Sequence, residues 1–185
     1  MNLANRITTF RILLIPFFIA AILYYGEAMP NLRFAALFIF SLACFTDAID
    51  GGIARSRGQV TELGIILDPI ADKLLIVSAF IALSVVKSIP QDFRIPAWAV
   101  LIVISRDIII VIGSVIIYFL KGNIAIKPSG LGKITTFFQM IAIMAILITF
   151  KYNKFFLYPA ILFTIFSGFD YIWRGSKQLS EVQKA

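Results

Sequence analysis

The sequence predicts an all-α integral membrane protein with six transmembrane helices, and two observations carry that prediction. Hydrophobic residues make up 60% of the 185 residues and charged residues only 15%, whereas soluble domains are about 45–50% apolar and about 25% charged. The apolar residues also fall into six stretches, separated by polar or Gly/Pro-containing breaks. Each stretch approaches or exceeds the ~20 residues that a helix needs to cross a bilayer.

The first span is 7–25, interrupted by Arg11. It is too long for the apolar segment of a cleaved signal and has no Ala-x-Ala-like exit, so it reads as a retained helix. Residues 26–30 break it. A second span, 32–55, ends at Ser56-Arg57-Gly58, and a third, 62–86, ends in the polar run 87–92. The fourth, 95–120, precedes a Gly-bounded loop at 122–130. The fifth, 132–150, and the sixth, 155–173, are separated by the short run 151–154. Residues 174–185 are polar and read as a short tail. With no internal repeat and no linker, residues 1–185 form a single membrane domain.

The formal charge is +7, from 17 Lys and Arg against 10 Asp and Glu. In a membrane protein such an excess reports cytoplasmic loops and contact with anionic lipid, not nucleic acid. With the N-terminus inside, the cytoplasmic side carries Arg6, Arg11, Arg55, Arg57, Lys121, Lys127, Lys133, Arg174, Lys177 and Lys184. The outer side carries only Arg33, Lys87, Arg94, Lys151 and Lys154. Both termini are therefore expected in the cytoplasm. The chain has no histidine, and Cys44 is its one cysteine. Disulfides within the chain, Cys-rich zinc sites and histidine-based catalysis are excluded, and acid–base work falls to carboxylates, lysine or tyrosine.

Four aspartates occupy membrane-grade sequence: Asp47 and Asp50, three apart, and Asp68 and Asp72, four apart. Each pair shares a helix face. An intramembrane charge costs a few kcal/mol, about 2.5–3.5 for Asp at a helix centre, so four together require neutralisation. If helices two and three form a hairpin, both pairs lie within about 10–20 Å of its turn, facing each other below the cytoplasmic surface. Oxygen-only ligands suit Mg²⁺ or Mn²⁺, and four carboxylates can hold two such ions, an arrangement that clamps phosphoryl chemistry. Gly51, Gly52 and Gly64 leave room for a ligand against the helices, although helix packing also favours glycine. Arg55 and Arg57 add phosphate donors. An ion carrier would place acids through the full bilayer depth, and a scaffold would need no such cluster; here the acids gather near one face.

Asp47-x2-Asp50-Gly51-x2-Ala54-Arg55-x8-Gly64-x3-Asp68-x3-Asp72 resembles, at every position, the signature of the CDP-alcohol phosphotransferase family. Three other segments resemble the branch whose members make phosphatidylglycerophosphate or cardiolipin. They are Asn5-x-x-Thr8-x-x-Arg11 with Pro16, Asp68-Pro69-x-Ala71-Asp72-Lys73, and Gly132-Lys133 with Thr135, Thr136 and Gln139. The resemblance spans roughly residues 3–173. It implies six helices, usually a homodimer, with a polar cavity open to the cytoplasm in what would be a bacterial inner membrane. It also implies two divalent ions held by Asp47, Asp50, Asp68 and Asp72, with Asp72 as general base. CDP-diacylglycerol would be the donor, its nucleotide against Gly51, Ala54 and Gly64, with Arg55 and Thr61 nearby.

The acceptor has to be read from elsewhere. Arg106, mid-way along the fourth helix, either pairs with Asp107 or grips an acceptor phosphate together with Lys127 and Lys133. Basic residues converging on one phosphate suit the dianion glycerol 3-phosphate. The run Ser105-Arg106-Asp107 resembles cardiolipin synthases, which use phosphatidylglycerol, and inositol phosphate or serine are further alternatives.

Overall fold

The computed structural model describes the backbone of residues 3–57, 62–121 and 130–182, and the side chains of residues 9–46, 71, 73–113 and 130–177. Among the described residues there are six α-helices and no strand: α1 (Leu3–Leu23), α2 (Leu32–Arg57), α3 (Glu62–Val85), α4 (Ala97–Lys121), α5 (Gly130–Leu147) and α6 (Lys154–Val182), with a single 3₁₀ turn at Gln91–Phe93 before α4. Three segments, Gln91–Gly113, Gly130–Leu147 and Lys154–Lys177, are long and apolar enough to cross a membrane.

All six expected helices are present, and they differ at their ends. The tail expected from Arg174 continues α6 as helix to Val182. The polar residues there keep the backbone helical while leaving the apolar part of the helix, and the Arg174 Nε donates to Asp170 Oδ1 one turn back at 2.8 Å. Helix α5 stops at Leu147, short of residue 150. Thr149 takes a left-handed φ of 53°; its N–H donates to the Ile146 carbonyl, and the Phe150 N–H donates to the Ala145 carbonyl. That pair of bonds is a Schellman closure, usually built on glycine. Threonine holds the position here with the Arg33 Nη1 donating to its hydroxyl at 3.0 Å.

The chain divides into two compact units, Met1–Pro96 with Ile143–Asn153, and Ala97–Ala142 with Lys154–Ala185. In the first, α1 packs against both α2 and α3. The buried stripe of α1 is Arg11, Phe18, Ala21 and Ile22; that of α2 is Ala36, Phe40 and Ala43; that of α3 runs through Ala71, Leu75, Ile76, Ala79 and Phe80. Phe18 and Phe40 meet with ring centroids 5.7 Å apart.

In the second unit α4 packs against α6. The buried face of α6 changes character along its length, from Leu157 and Ile161 to Thr164, Ser167 and Gly168. Small and hydroxylic residues let helices approach closely and bond across the gap, where lipid offers no hydrophobic drive to association. Thr135 of α5 donates to the Phe163 carbonyl at 3.0 Å, and the Gln139 Nε2 donates to Thr164 Oγ1 at 2.9 Å.

Candidate active site

Helical register carries the first unit's buried stripes into the aspartates. On α2 the buried positions 36, 40 and 43 are spaced by four and three, and the same alternation reaches 47 and 50. On α3 the alternation runs back from 79 through 75 to 72 and 68. Both helices are continuous across these positions. All four aspartates therefore stand on helices, at positions that continue the faces packed into the unit. The side chains of Asp47, Asp50, Gly51, Ala54, Arg55, Gly64, Asp68 and Asp72 lie outside the described residues, as do Thr61 and Lys127 altogether. Among the described residues no group of three or more acidic or cysteine side chains gathers.

Some of the residues next to the aspartates in sequence are described. Thr46, immediately before Asp47, donates its hydroxyl to the carbonyls of Leu42 and Ala43, each at 2.9 Å. Lys73, immediately after Asp72, is half-buried. Arg11, expected above toward the cytoplasmic side, is 1% exposed on the packed face of α1. Its position in an apolar run was the available signal; helical spacing to Phe18, seven residues on, is what places it on the interior stripe.

In the second unit Arg106 is 6% exposed, and both readings of it bear on the geometry. The pair with Asp107 exists: Nη1 donates to Asp107 Oδ1 at 2.7 Å. On the opposite side Nη2 donates to Ser167 Oγ of α6 at 2.6 Å. Gly168 packs beside the arginine stem, where a Cβ would sit at ordinary contact distance, 3.5 Å from Arg106 Cγ. A guanidinium has five N–H groups, and the Arg106 Nε makes no hydrogen bond. Arg106 also lines a cavity of about 270 Å³ between α4 and α6, walled by Leu101, Ile102, Ile109, Ile165, Phe169 and Ile172, with Ser105 and Thr164 as its other polar groups. Its charge is thus neutralised locally while part of its donor capacity stays open. Lys133, in the first turn of α5, is exposed. Ser167 carries no recognisable sequence motif, and only the helix packing identifies it.

A model of the family described as CDP-alcohol phosphatidyltransferase matches residues 1–166. The chain is 32% identical to the probable phosphatidylglycerophosphate synthase of Mycobacterium tuberculosis H37Rv, with 99% of this chain and 86% of that protein aligned. It is 35% identical to the CDP-diacylglycerol–glycerol-3-phosphate 3-phosphatidyltransferase of Bacillus subtilis, covering 92% and 93% of the two chains. The protein of the same name from Haemophilus influenzae is 36% identical over 92% and 91%. The unbroken aspartate signature and this match across most of the chain have one meaning: the chain belongs to the CDP-alcohol phosphatidyltransferase family.

Proposed function

We propose that this chain transfers the phosphatidyl group of CDP-diacylglycerol to a hydroxyl of glycerol 3-phosphate, releasing CMP and giving phosphatidylglycerophosphate. The observation that carries this reading is the full-length similarity to relatives bearing that activity's name, combined with a complete aspartate signature on packed helices.

The donor set fits a divalent metal. It consists of four carboxylates in a chain without histidine and with one cysteine, an oxygen-only set matched to Mg²⁺ or Mn²⁺. Asp47, Asp50, Asp68 and Asp72 would hold two such ions, which when bound neutralise the donor's pyrophosphate as the bond to CMP breaks. Gly51, Ala54 and Gly64 let the nucleotide lie close to the helices, and Arg55, with Thr61, supplies donors to it. Asp72 takes the proton from the acceptor hydroxyl. That oxygen attacks the phosphorus carrying diacylglycerol, the bond to CMP breaks, and the proton stays on Asp72.

The acceptor's phosphate is assigned to Arg106, Lys127 and Lys133. Arg106 supports its part in this by chemistry: a buried guanidinium, already balanced by Asp107, that keeps an unused N–H. Six membrane spans, a cavity open to the cytoplasm, both termini inside, residence in the bacterial inner membrane and a homodimer complete the proposal.

Offering the purified protein glycerol 3-phosphate, phosphatidylglycerol, inositol phosphate and serine separately, with CDP-diacylglycerol and Mg²⁺, tests the acceptor. Phosphatidylglycerophosphate should form from the first alone. Cardiolipin from phosphatidylglycerol would replace this reading with the cardiolipin synthase alternative.

A further inference from the structure

Arg11 is a charge for which the reaction above has no use. It is 1% exposed, on the stripe of α1 that includes Phe18 and Ile22. A guanidinium does not deprotonate in proteins, so a full positive charge is fixed inside the first unit, and a buried charge needs a counter-charge. Acids distant from Arg11 do not qualify. Glu27 and Asp92 are exposed, and Glu27 lies sixteen residues further along the chain than Arg11, about 24 Å at helical rise. The remaining acids of the unit belong to α2 and α3.

Register brings two of these acids, those of α2, to the level of Arg11. Residues 24–31 connect α1 to α2, and the two helices pack together, so α2 runs back along α1. The stripes meet where Phe18 touches Phe40. From Phe18, two turns toward the N-terminus reach Arg11; from Phe40, two turns in the same direction reach position 47. Seven residues return to the same helix face and rise about 10.5 Å. Arg11 and position 47 therefore share a level on stripes that meet, with position 50 one turn beyond.

We propose that Arg11 belongs to the donor site. In the metal-free protein it is the counter-charge of Asp47 and Asp50, and with divalent metal on those carboxylates its guanidinium is left to hold the donor's pyrophosphate. This rests on the reading of the four aspartates given above. Charge balance favours it: four carboxylates offset two dications, and the pyrophosphate then adds negative charge that only nearby cations can compensate. Arginine is suited to the task because its planar fork binds phosphate oxygens bidentately, which a lysine does not.

The test measures Mn²⁺ binding to the detergent-solubilised full chain without donor, then KM for CDP-diacylglycerol and for glycerol 3-phosphate. Arg11→Gln removes a cation competing for the carboxylates, so Mn²⁺ should bind severalfold tighter. KM for CDP-diacylglycerol should rise about tenfold, the scale of one charge-assisted contact, with KM for glycerol 3-phosphate unchanged and Arg11→Lys intermediate. Weaker Mn²⁺ binding, or an unmoved donor KM, overturns the proposal. Should Arg11→Gln fail to fold, adding Asp47→Asn removes the uncompensated carboxylate and should restore thermal stability; no restoration overturns it equally. Asp68→Asn separates the two claims. If wild type binds no Mn²⁺, or Asp68→Asn binds it like wild type, the aspartate reading fails and this inference with it. If both behave as expected and the donor KM of Arg11→Gln does not move, only the role of Arg11 fails.

Discussion

Arg11 and Arg106 are both buried cations, 1% and 6% exposed, and the two units neutralise them by different means. Arg106 has an acid beside it in sequence, and the ion pair with Asp107 together with the bond to Ser167 ties α4 to α6. Arg11 has no acid within its own helix. In the proposal above its counter-charge comes from the signature acids of α2. A buried arginine balanced by its neighbour reports local architecture first and offers its spare N–H to a ligand second. One balanced only by signature acids is tied to whatever those acids do.

The largest expected effect breaks the first unit's chemistry alone. Asp72→Asn should lower kcat by about 10²–10⁴, the range for loss of a general base, with a much smaller change in KM for CDP-diacylglycerol. Steady-state CMP release measures both, and a pure KM effect would remove the base assignment. Arg106→Ala should act on the acceptor, raising KM for glycerol 3-phosphate far more than KM for CDP-diacylglycerol. It should also destabilise the fold, by up to about 3–5 kcal/mol, because the buried ion pair with Asp107 is broken. Ser167→Ala should move the same acceptor KM less, with a stability loss of about 1.5–3 kcal/mol, the worth of a hydrogen bond to a charged group. Equal loss of donor and acceptor use would make the Arg106 contacts purely structural. Thermal unfolding in detergent checks the stability part.

The smallest effect separates two glycines of the second unit. A Cβ at Gly113 would meet Tyr171 Cε1 at 2.8 Å, whereas one at Gly168 would sit at ordinary contact distance from Arg106. Gly113→Ala should therefore lower the melting temperature, by overpacking of about 1–3 kcal/mol, and Gly168→Ala should barely move it. A larger loss at Gly168 would mean that the arginine stem has no freedom to adjust.

The six helices were legible because hydropathy repeats on the scale of a bilayer crossing. The ends of α5 and α6 were not. Thr149 terminates α5 through a left-handed conformation that threonine rarely takes, supported by Arg33 from 116 residues away. The polar end of α6 is helical without being apolar. The family was legible because the aspartate spacing is a signature written along two helices, and the family match bears that recognition out. Arg11 reads as a charge near a terminus until α1 is packed against its neighbours, and Ser167 acquires meaning only once α6 meets α4. Side chains whose role depends on a partner helix leave no periodic trace in their own segment.

The central claim is that the aspartates of the first unit hold divalent metal while the Arg106–Asp107 pair of the second does not. Titration of Mn²⁺ into the purified chain tests it most directly. The account predicts two ions per chain, retained in Arg106→Ala and lost or halved in Asp68→Asn. Absence of binding to wild type, or binding that Asp68→Asn leaves untouched, would contradict it.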